Sequence, residues 1–216
     1  MVDIASPSQR PACPASKRLL DVAVAGLLLV LVSPILLVAV ALVRLTSPGP
    51  VLFRQERVGL HERPFTMLKL RTMYVNCDNS MQEALNRREL RGEDVAEDGI
   101  FKVCDDPRIT PVGGFLRRFS IDELPQLINV LRGEMSLVGP RPSLAWEVEE
   151  YSREQRRRHE CLPGITGLWQ VSGRNRLSMP EMLALDVEYV DTRSFAMDLW
   201  ILLRTPYVVL FSKDTR

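Results

Sequence analysis

The sequence predicts an α-dominated α+β fold, in which a re-entrant membrane helix precedes a helical domain with a few short strands. Three observations support this class. One uncharged apolar run is long enough to enter a membrane, most other segments have helical periodicity, and β-forming residues cluster in one short region. The chain has 216 residues, 46% of them hydrophobic and 25% charged, which suits one globular domain of ordinary size.

The apolar run covers residues 22–43, VAVAGLLLVLVSPILLVAVALV, and contains no charged residue. A straight helix of this length reaches roughly 33 Å, enough to cross a hydrocarbon layer of about 30 Å. Pro34 lies near the middle of the run, where it removes one backbone hydrogen bond and forces a kink. Ser33 can bond the carbonyl group that the proline leaves free.

Basic residues flank the run on both sides: Lys17 and Arg18 before it, and Arg44, Arg54 and Arg57 after it. Positive charge favours the cytoplasmic side of a membrane, so both ends are expected there. A re-entrant helix over residues 17–46, broken at Ser33 and Pro34, satisfies both the kink and the charges. A single spanning helix with a proline kink stays open as an alternative, whereas the length of the run disfavours a cleaved leader.

Outside this segment, residues 1–16 are predicted to be a disordered tail and residues 47–216 a cytoplasmic domain. Residues 51–73 predict one or two strands around a turn at 59–64, with Lys69 and Arg71 on the same side of the second strand. Helices are predicted at residues 80–90, 122–131, 143–159, 179–191 and 195–211. The C-terminal helices are expected at the membrane interface, and a core position for the last one is an equal alternative.

Composition excludes several functional classes. The formal net charge of +1 gives no bulk electrostatic reason for a nucleic-acid partner. The four cysteines form no C-x-x-C pair and the two histidines lack the spacing of zinc ligands, so neither a disulfide framework nor a zinc site is expected. A reducing, cytosolic environment follows.

Residues 105–142 contain the strongest candidates for catalytic and binding residues. This stretch combines cations, a carboxylate pair and rigid turns. Helical periodicity places Asp122 and Glu123 at a helix N-terminus. The ordinary interpretation is structural, because Ser120 and Glu123 match a capping box and Asp122 is a favoured N-cap residue. Three arginines precede the pair: Arg108, Arg117 and Arg118. They favour a functional interpretation, in which a bound phosphate lies beside a carboxylate able to attack phosphorus.

A carboxylate and a diphosphate repel one another, so such a site needs arginines or a divalent cation, of which Mg²⁺ is the natural candidate. Arg141 lies between Pro140 and Pro142, whose rings restrict its backbone, and its planar guanidinium group suits bidentate phosphate contact. A surface arginine in a turn is the alternative.

Two further segments give weaker signals. Residues 163–175, PGITGLWQVSGRN, contain glycines that permit close backbone approach, and they either line a ligand pocket or simply form turns. Asp186 and Asp198 lie in apolar helical contexts, so each is either a surface residue or a partly buried acid. The favoured interpretation pairs each acid with an arginine near the site.

Several motifs occur in order between residues 17 and 211. They are KRLLD followed by the Ser33-Pro34 pair, PGPVLFRQERVG, KLRTM, DPRITPVG, SIDELPQL, SLVGPRP and GITGLWQVSGRN. Together they resemble the monotopic polyprenyl-phosphate phosphoglycosyl transferases, also called bacterial sugar transferases. The chain is similar to the minimal form of that family, without the long multi-span N-terminal extension of larger relatives.

The resemblance implies transfer of a sugar 1-phosphate from a UDP-sugar to polyprenyl (undecaprenyl) phosphate, giving a polyprenyl diphosphate sugar and UMP. Asp122 would be the nucleophile that carries a covalent phosphosugar, and Glu123 would assist metal binding or proton handling, with Mg²⁺ held by both residues. This step would begin the assembly of a glycan such as an O-antigen, capsule, exopolysaccharide or glycoprotein glycan, with downstream glycosyltransferases as possible partners. The enzyme would be monotopic, bound to membrane lipid on the cytoplasmic face of the bacterial inner membrane.

Site residues are also implied by the family motifs. Six cations match positions suited to phosphate and nucleotide: Lys69, Arg71, Arg108, Arg117, Arg141 and Arg174. Asp186 and Asp198 match late acids expected to support the site. A rival hypothesis from another class is a catalytically inactive, membrane-anchored scaffold that binds a nucleotide sugar or a partner, in which the dyad is only a helix cap.

Overall fold

The computed structural model describes residues 13–75, 80–93 and 106–211, apart from the side chains of residues 81, 82 and 175. Its longer helices are α1 (Ala15–Thr46), α2 (Ser80–Leu90), α3 (Pro111–Arg118), α4 (Gln126–Arg132), α8 (Met179–Thr192) and α9 (Phe195–Phe211). Shorter helices are α5 (Ala145–Glu150), α6 (Arg153–Arg156) and α7 (Leu168–Ser172). The strands are β1 (Leu52–Val58), β2 (Pro64–Leu70), β3 (Ser136–Val138) and β4 (Gly164–Thr166). The predicted α-dominated α+β class is confirmed.

Helix α1 is the one helix in the described part of the chain that is long and apolar enough to cross a membrane. It continues through the predicted break, with Pro34 inside it. The Ser33 hydroxyl donates a hydrogen bond to the carbonyl of Val30 at 2.8 Å, which is the carbonyl that the missing N–H of Pro34 leaves free. Hydrogen bonding by Ser33 therefore follows the prediction, but the helix is not interrupted there. The predicted tail, residues 1–16, lies mostly outside the described residues, and its last two residues already belong to α1.

The N-terminal end of α1 is bound to the rest of the protein by polar contacts. Lys17 forms an ion pair with Asp198 at 2.7 Å. Arg18 donates to the carbonyls of Val130 and Leu131, at the C-terminal end of α4. The buried carboxylate of Asp21 accepts the backbone N–H of Leu137 at 3.1 Å. This end of α1 is thus part of the globular body and not a flexible tether.

The C-terminal end of α1 is bound to the same body. The buried guanidinium group of Arg71 donates to the carbonyl and hydroxyl oxygens of Ser47 and to the carbonyl of Pro48, at 2.7 to 2.8 Å. Ala39 and Val43 of α1 pack in a buried apolar cluster with Leu70 and Leu116. Both halves of α1 therefore contact one body, while much of the helix surface between them is exposed and apolar.

Two small sheets and a helical core make up that body. Strands β1 and β2 form an antiparallel hairpin in which Leu52 pairs with Leu70 and Val58 with Pro64, as the sequence predicts. Strands β3 and β4 form a parallel pair. The main core cluster joins residues of α1, α4, α7, α8 and α9 to β3. Helices α2 and α9 match their predicted bounds, and α8 extends one residue beyond its prediction.

Three predicted details are wrong. The helix expected at residues 143–159 is divided into α5, α6 and a 3-10 turn, because Ser152 begins a new helix with a capping box to Gln155. Helix α4 begins at Gln126, after a separate 3-10 turn at Ile121–Glu123. Strand β2 ends at Leu70, so Arg71 does not share a strand face with Lys69.

Candidate active site

The carboxylate pair lies in the 3-10 turn Ile121–Glu123, between α3 and α4. Ser120 precedes it in the left-handed conformation, with φ of 54°, and its side chain caps no backbone N–H group. The N-cap residue of α4 is Pro125. The capping interpretation of Asp122 and Glu123 is therefore wrong, and helix capping does not occupy either carboxylate.

Glu123 is paired with a cation from the neighbouring hairpin. The ammonium group of Lys69, next to the end of β2, donates to Glu123 at 2.8 Å, and both side chains are partly exposed. Burial acts to raise the pKa of Glu123, but Lys69 outweighs it through its charge and its hydrogen bond, and Arg141 and Arg174 add to the same effect. The pKa of Glu123 is lowered, so this carboxylate stays ionised.

Asp122 has a different environment. It is only 7% exposed, and among the described residues no other side chain donates a hydrogen bond to its carboxylate. Burial raises the pKa of Asp122, the charge of Glu123 raises it further, and Lys69 and Arg117 oppose the change. An unpartnered carboxylate of raised pKa is a stronger base and nucleophile than an ordinary aspartate.

A cleft opens beside Glu123. Its lining residues are Met67, Lys69, Glu123, Gln126, Arg141, Pro142, Gly164, Ile165 and Gln170. The lining combines cations and amides with a carboxylate, which suits a charged, hydroxyl-rich ligand. Gln126 is 3% exposed, and the buried Oε1 atom of Gln170 accepts no hydrogen bond from the described residues. Sequence reasoning missed both amides, although Gln126 follows the dyad by three residues and Gln170 lies in a quoted motif.

Two buried arginines hold the backbone of the loop that carries Arg141. The buried Arg158 donates to the carbonyl of Arg141 at 2.7 Å, and the buried Arg57 donates to the carbonyl of Pro142 at 3.0 Å. Gly164 lies so close that a Cβ atom there would be 2.1 Å from the backbone nitrogen of Gly139. The close approach predicted for this glycine is confirmed. The exposed Arg141 side chain itself hydrogen-bonds no described residue, so it is available to a ligand.

The predicted cations fall into two groups. Four of them lower the pKa of Asp122 or Glu123 through their charge: Lys69, Arg117, Arg141 and Arg174. Arg108 instead pairs with Asp106 at 2.7 Å, and Arg71 is occupied by the backbone at the end of α1. The structure therefore brings only part of the predicted set together around Asp122 and Glu123.

The two late acids support the fold around the site. Asp186 pairs with Arg158, as expected of an acid partnered by an arginine near the site. Asp198 pairs with Lys17 of α1 and accepts a hydrogen bond from Tyr189 at 2.7 Å, so the expected arginine partner is wrong for this residue. Neither carboxylate lines the cleft.

The donor set fits magnesium better than a metal bound by protein alone. The described residues contain no group of three or more histidine, cysteine, aspartate or glutamate side chains placed to hold a metal ion. Mg²⁺ is commonly bound by one or two carboxylates together with substrate phosphates and water. Asp122 and Glu123, with one carboxylate unpartnered, match that requirement.

Comparison with known proteins identifies related chains. The family model described as bacterial sugar transferase matches residues 13–212. The exopolysaccharide production protein ExoY of Sinorhizobium fredii is 41% identical over 206 residues, which cover 95% of this chain and 90% of that protein. A UDP-glucose:undecaprenyl-phosphate glucose-1-phosphate transferase of Caulobacter vibrioides is 45% identical over 207 residues, covering 92% and 71%. An undecaprenyl-phosphate galactose phosphotransferase of Salmonella typhimurium is 39% identical over 194 residues, covering 90% and 40%.

Proposed function

Because the chain belongs to the bacterial sugar transferase family and is a phosphoglycosyl transferase, we propose that it transfers a sugar 1-phosphate from a UDP-sugar to undecaprenyl phosphate, with release of UMP. The observation that carries this proposal is the unpartnered, buried carboxylate of Asp122 beside a cleft lined by Lys69 and Arg141. A nucleophile and phosphate-binding cations are the two requirements of the reaction.

The proposed reaction has two displacements at one phosphorus atom. An oxygen of Asp122 bonds to the phosphorus that carries the sugar, and the bond from this phosphorus to the bridging oxygen breaks, so that UMP leaves with the electron pair. A phosphate oxygen of the acceptor then attacks the same phosphorus, and Asp122 leaves as a free carboxylate. The raised pKa of Asp122 favours the first attack, because a more basic oxygen is a better nucleophile.

The cations of the site bind and orient the diphosphate. Arg141, on its rigid loop, presents a guanidinium group with no described partner, and Arg117 lies near enough to Asp122 to lower its pKa. Lys69 keeps Glu123 ionised. Asp122 and Glu123 would hold Mg²⁺, which when bound would neutralise the charge of the phosphates.

We infer the membrane arrangement from the contacts of α1. The helix carries no charge between residues 22 and 43, and both of its ends are bound to one body by Lys17 and Arg71. A helix that crossed the bilayer would place its ends on opposite sides. We therefore assign α1 a re-entrant course that bends at Pro34, with the body on the cytoplasmic face of the bacterial inner membrane.

Topology is tested by adding a protease-sensitive tag at each terminus and treating sealed vesicles from one side. Cleavage of both tags from the same side supports the re-entrant course. Cleavage of only one tag from each side would mean a spanning helix instead.

The donor sugar is not set by family membership, since one relative is named for glucose and another for galactose at similar identity. A few cleft contacts are enough to select between such sugars. The product, a polyprenyl diphosphate sugar, is a substrate for glycosyltransferases that extend a glycan. The proposal thus places this protein at the start of such a sequence.

The function is tested by measuring UMP release from a panel of UDP-sugars, with Mg²⁺ and undecaprenyl phosphate, for the wild type and for Asp122→Asn in nanodiscs. We expect the wild type to release UMP from one or a few donors and the variant to release none above background. Binding of a UDP-sugar by folded wild type, without UMP release from any donor, would support the scaffold alternative instead.

A further inference from the structure

An apolar groove lies between the membrane helix and the body. Helix α1 contributes Pro34, Ile35, Val38, Ala39 and Leu42 to its lining, and the body contributes Phe115, Leu116 and Ile121. Every lining side chain is apolar. The groove has a volume of about 300 Å³. A cavity of about 150 Å³ holds a benzene molecule, so this groove has room for about two five-carbon units.

The groove joins two different surroundings. On α1 its lining begins at Pro34, where the proposed re-entrant course reaches farthest into the bilayer. On the body its lining includes Ile121, the residue directly before Asp122. The groove therefore connects the membrane helix with the 3-10 turn that carries the nucleophile.

A cation lies next to the groove lining near this turn. Arg117 follows Leu116 on α3, the helix before the turn, whereas the groove lining has no charged residue. No described residue hydrogen-bonds the guanidinium group of Arg117. An apolar groove whose lining residues adjoin a cation and a nucleophile in the chain is complementary to an apolar chain with an anionic phosphate at its end.

We propose that this groove binds the first isoprene units of the acceptor polyprenyl chain and directs its phosphate to Asp122. The inference rests on the proposed function and adds to it the place of the acceptor. Because the acceptor phosphate must reach bonding distance of the phosphorus held at Asp122, the chain attached to it has to leave the site from that point. The groove offers such a path, and it does so within the membrane layer where the chain already resides.

Specificity in this groove comes from packing and not from removal of apolar surface from water, because the chain is in hydrocarbon before and after binding. A bulky side chain in the groove should therefore weaken binding by excluding the chain. Val38 is suited to this test, since it lines the groove and is 61% exposed, so that enlarging it need not disturb the core. Val40 is a matched control on the same helix, exposed and outside the groove lining.

The first experiment compares Val38→Trp with Val40→Trp in nanodiscs. We expect Val38→Trp to raise KM for undecaprenyl phosphate about tenfold, because the bulky side chain excludes the polyprenyl chain from the groove, with no matching rise in KM for the UDP-sugar. Val40→Trp should leave both values close to those of the wild type. Equal values of KM for the acceptor in the two variants would overturn the proposal.

A second experiment identifies the occupant directly. A photoreactive benzophenone amino acid replaces Phe115 at the rim of the groove, and the protein is irradiated in nanodiscs that contain undecaprenyl phosphate. A cross-linked adduct with the mass of undecaprenyl phosphate supports the proposal. An adduct with phospholipid acyl chains alone would overturn it. Failure of the proposed function is distinguished from both outcomes, because it appears as absent UMP release in the wild type.

Discussion

Two clusters of charged residues lie on either side of the Arg141 loop, and they differ in how their charges are paired. In the dyad cluster, Glu123 has one cationic partner, Lys69, and Asp122 has none among the described side chains. In the second cluster, the buried Arg158 donates to Asp186 and also to three other oxygens. The difference separates two uses of charge, since the ion pair of Arg158 and Asp186 builds the scaffold, whereas the carboxylate of Asp122 remains for the substrate.

The second cluster acts on the first through the backbone. Arg158 donates to the hydroxyls of Ser143 and Tyr151 and to the carbonyl of Arg141. Its position is fixed in turn by the ion pair with Asp186. A buried ion pair is worth little as net stability, but it fixes the geometry of whatever it bonds. Here it fixes the loop that aims Arg141 at the cleft.

The largest expected effect is that of Asp122→Asn. We expect the rate of transfer to fall at least about a thousandfold, because an amide oxygen is a poor nucleophile. The melting temperature should stay the same or rise, since the substitution removes a buried charge that no side chain pairs. UMP release and thermal melts in detergent measure the two effects. Glu123→Gln is the control and should lose less activity; a large fall in melting temperature for Asp122→Asn would remove the distinction between the clusters.

The next effect concerns Arg158→Met, which leaves Asp186 buried without a cation. We expect the free energy of unfolding to fall by about 3 to 5 kcal/mol, the usual cost of breaking a buried ion pair. The double variant that also carries Asp186→Leu should regain most of this stability. Its activity should stay low, because the carbonyl of Arg141 still lacks its donor. Full recovery of activity in the double variant would show that the cluster does not position the loop.

A smaller effect is expected from His159, which lies in the second cluster and contacts Ser143 at 3.2 Å. Burial, assisted by the charge of Arg158, lowers the pKa of this histidine from 6.5 to about 4. Since the unfolded chain then binds a proton before the folded one does, stability is lost as pH falls from the unfolded value towards the folded value. Between about pH 7 and pH 5 this contribution is about 2 kcal/mol.

His159→Gln should reduce that pH dependence, because glutamine does not titrate. Chemical denaturation of both proteins at the two pH values measures the difference. An identical pH dependence in the variant and the wild type would mean that folding does not lower the pKa of His159.

The smallest effect is expected from Lys69→Met in the dyad cluster. Loss of the ammonium group removes a cation proposed to bind phosphate from the cleft and leaves Glu123 without its ion pair. We expect kcat/KM to fall about tenfold, the scale of one partly exposed charge interaction, with little change in melting temperature. Lys69→Arg should retain more activity. A large loss of stability would show that Lys69 supports the fold, as the residues of the second cluster do.

Much of this molecule could be predicted from local patterns. Helices α2 and α9 were bounded by their periodicity and by flanking turns, and the β1–β2 hairpin by β-forming residues around a glycine turn. The dyad could be found because carboxylates, arginines and restricted turns occur together in a short stretch. In each case the signal lies within one continuous stretch of the sequence.

The partners of the charged residues could not be predicted in the same way. Arg71 and Arg117 have similar chemistry in the sequence, yet the first holds the end of α1 and the second faces the dyad. Arg158 carried no signal, since an arginine in a run of three within a charged helical segment ordinarily faces solvent. Pairing of Lys17 with Asp198 depends on tertiary packing, which leaves no local pattern. The helices and strands were therefore more predictable than the partners and roles of the charged residues.

The ion pair between Lys17 and Asp198 joins residues 181 positions apart, which has a consequence for biosynthesis. A chain is made from its N-terminus, so α1 emerges long before its partners in α4, β3 and α9. During that interval the bilayer is the available apolar environment for the helix, and insertion precedes completion of the core. The body closes around α1 only when Asp198 has been synthesised. A truncated chain that lacks α9 would keep every residue of the dyad and the cleft, and would still be unable to complete its fold.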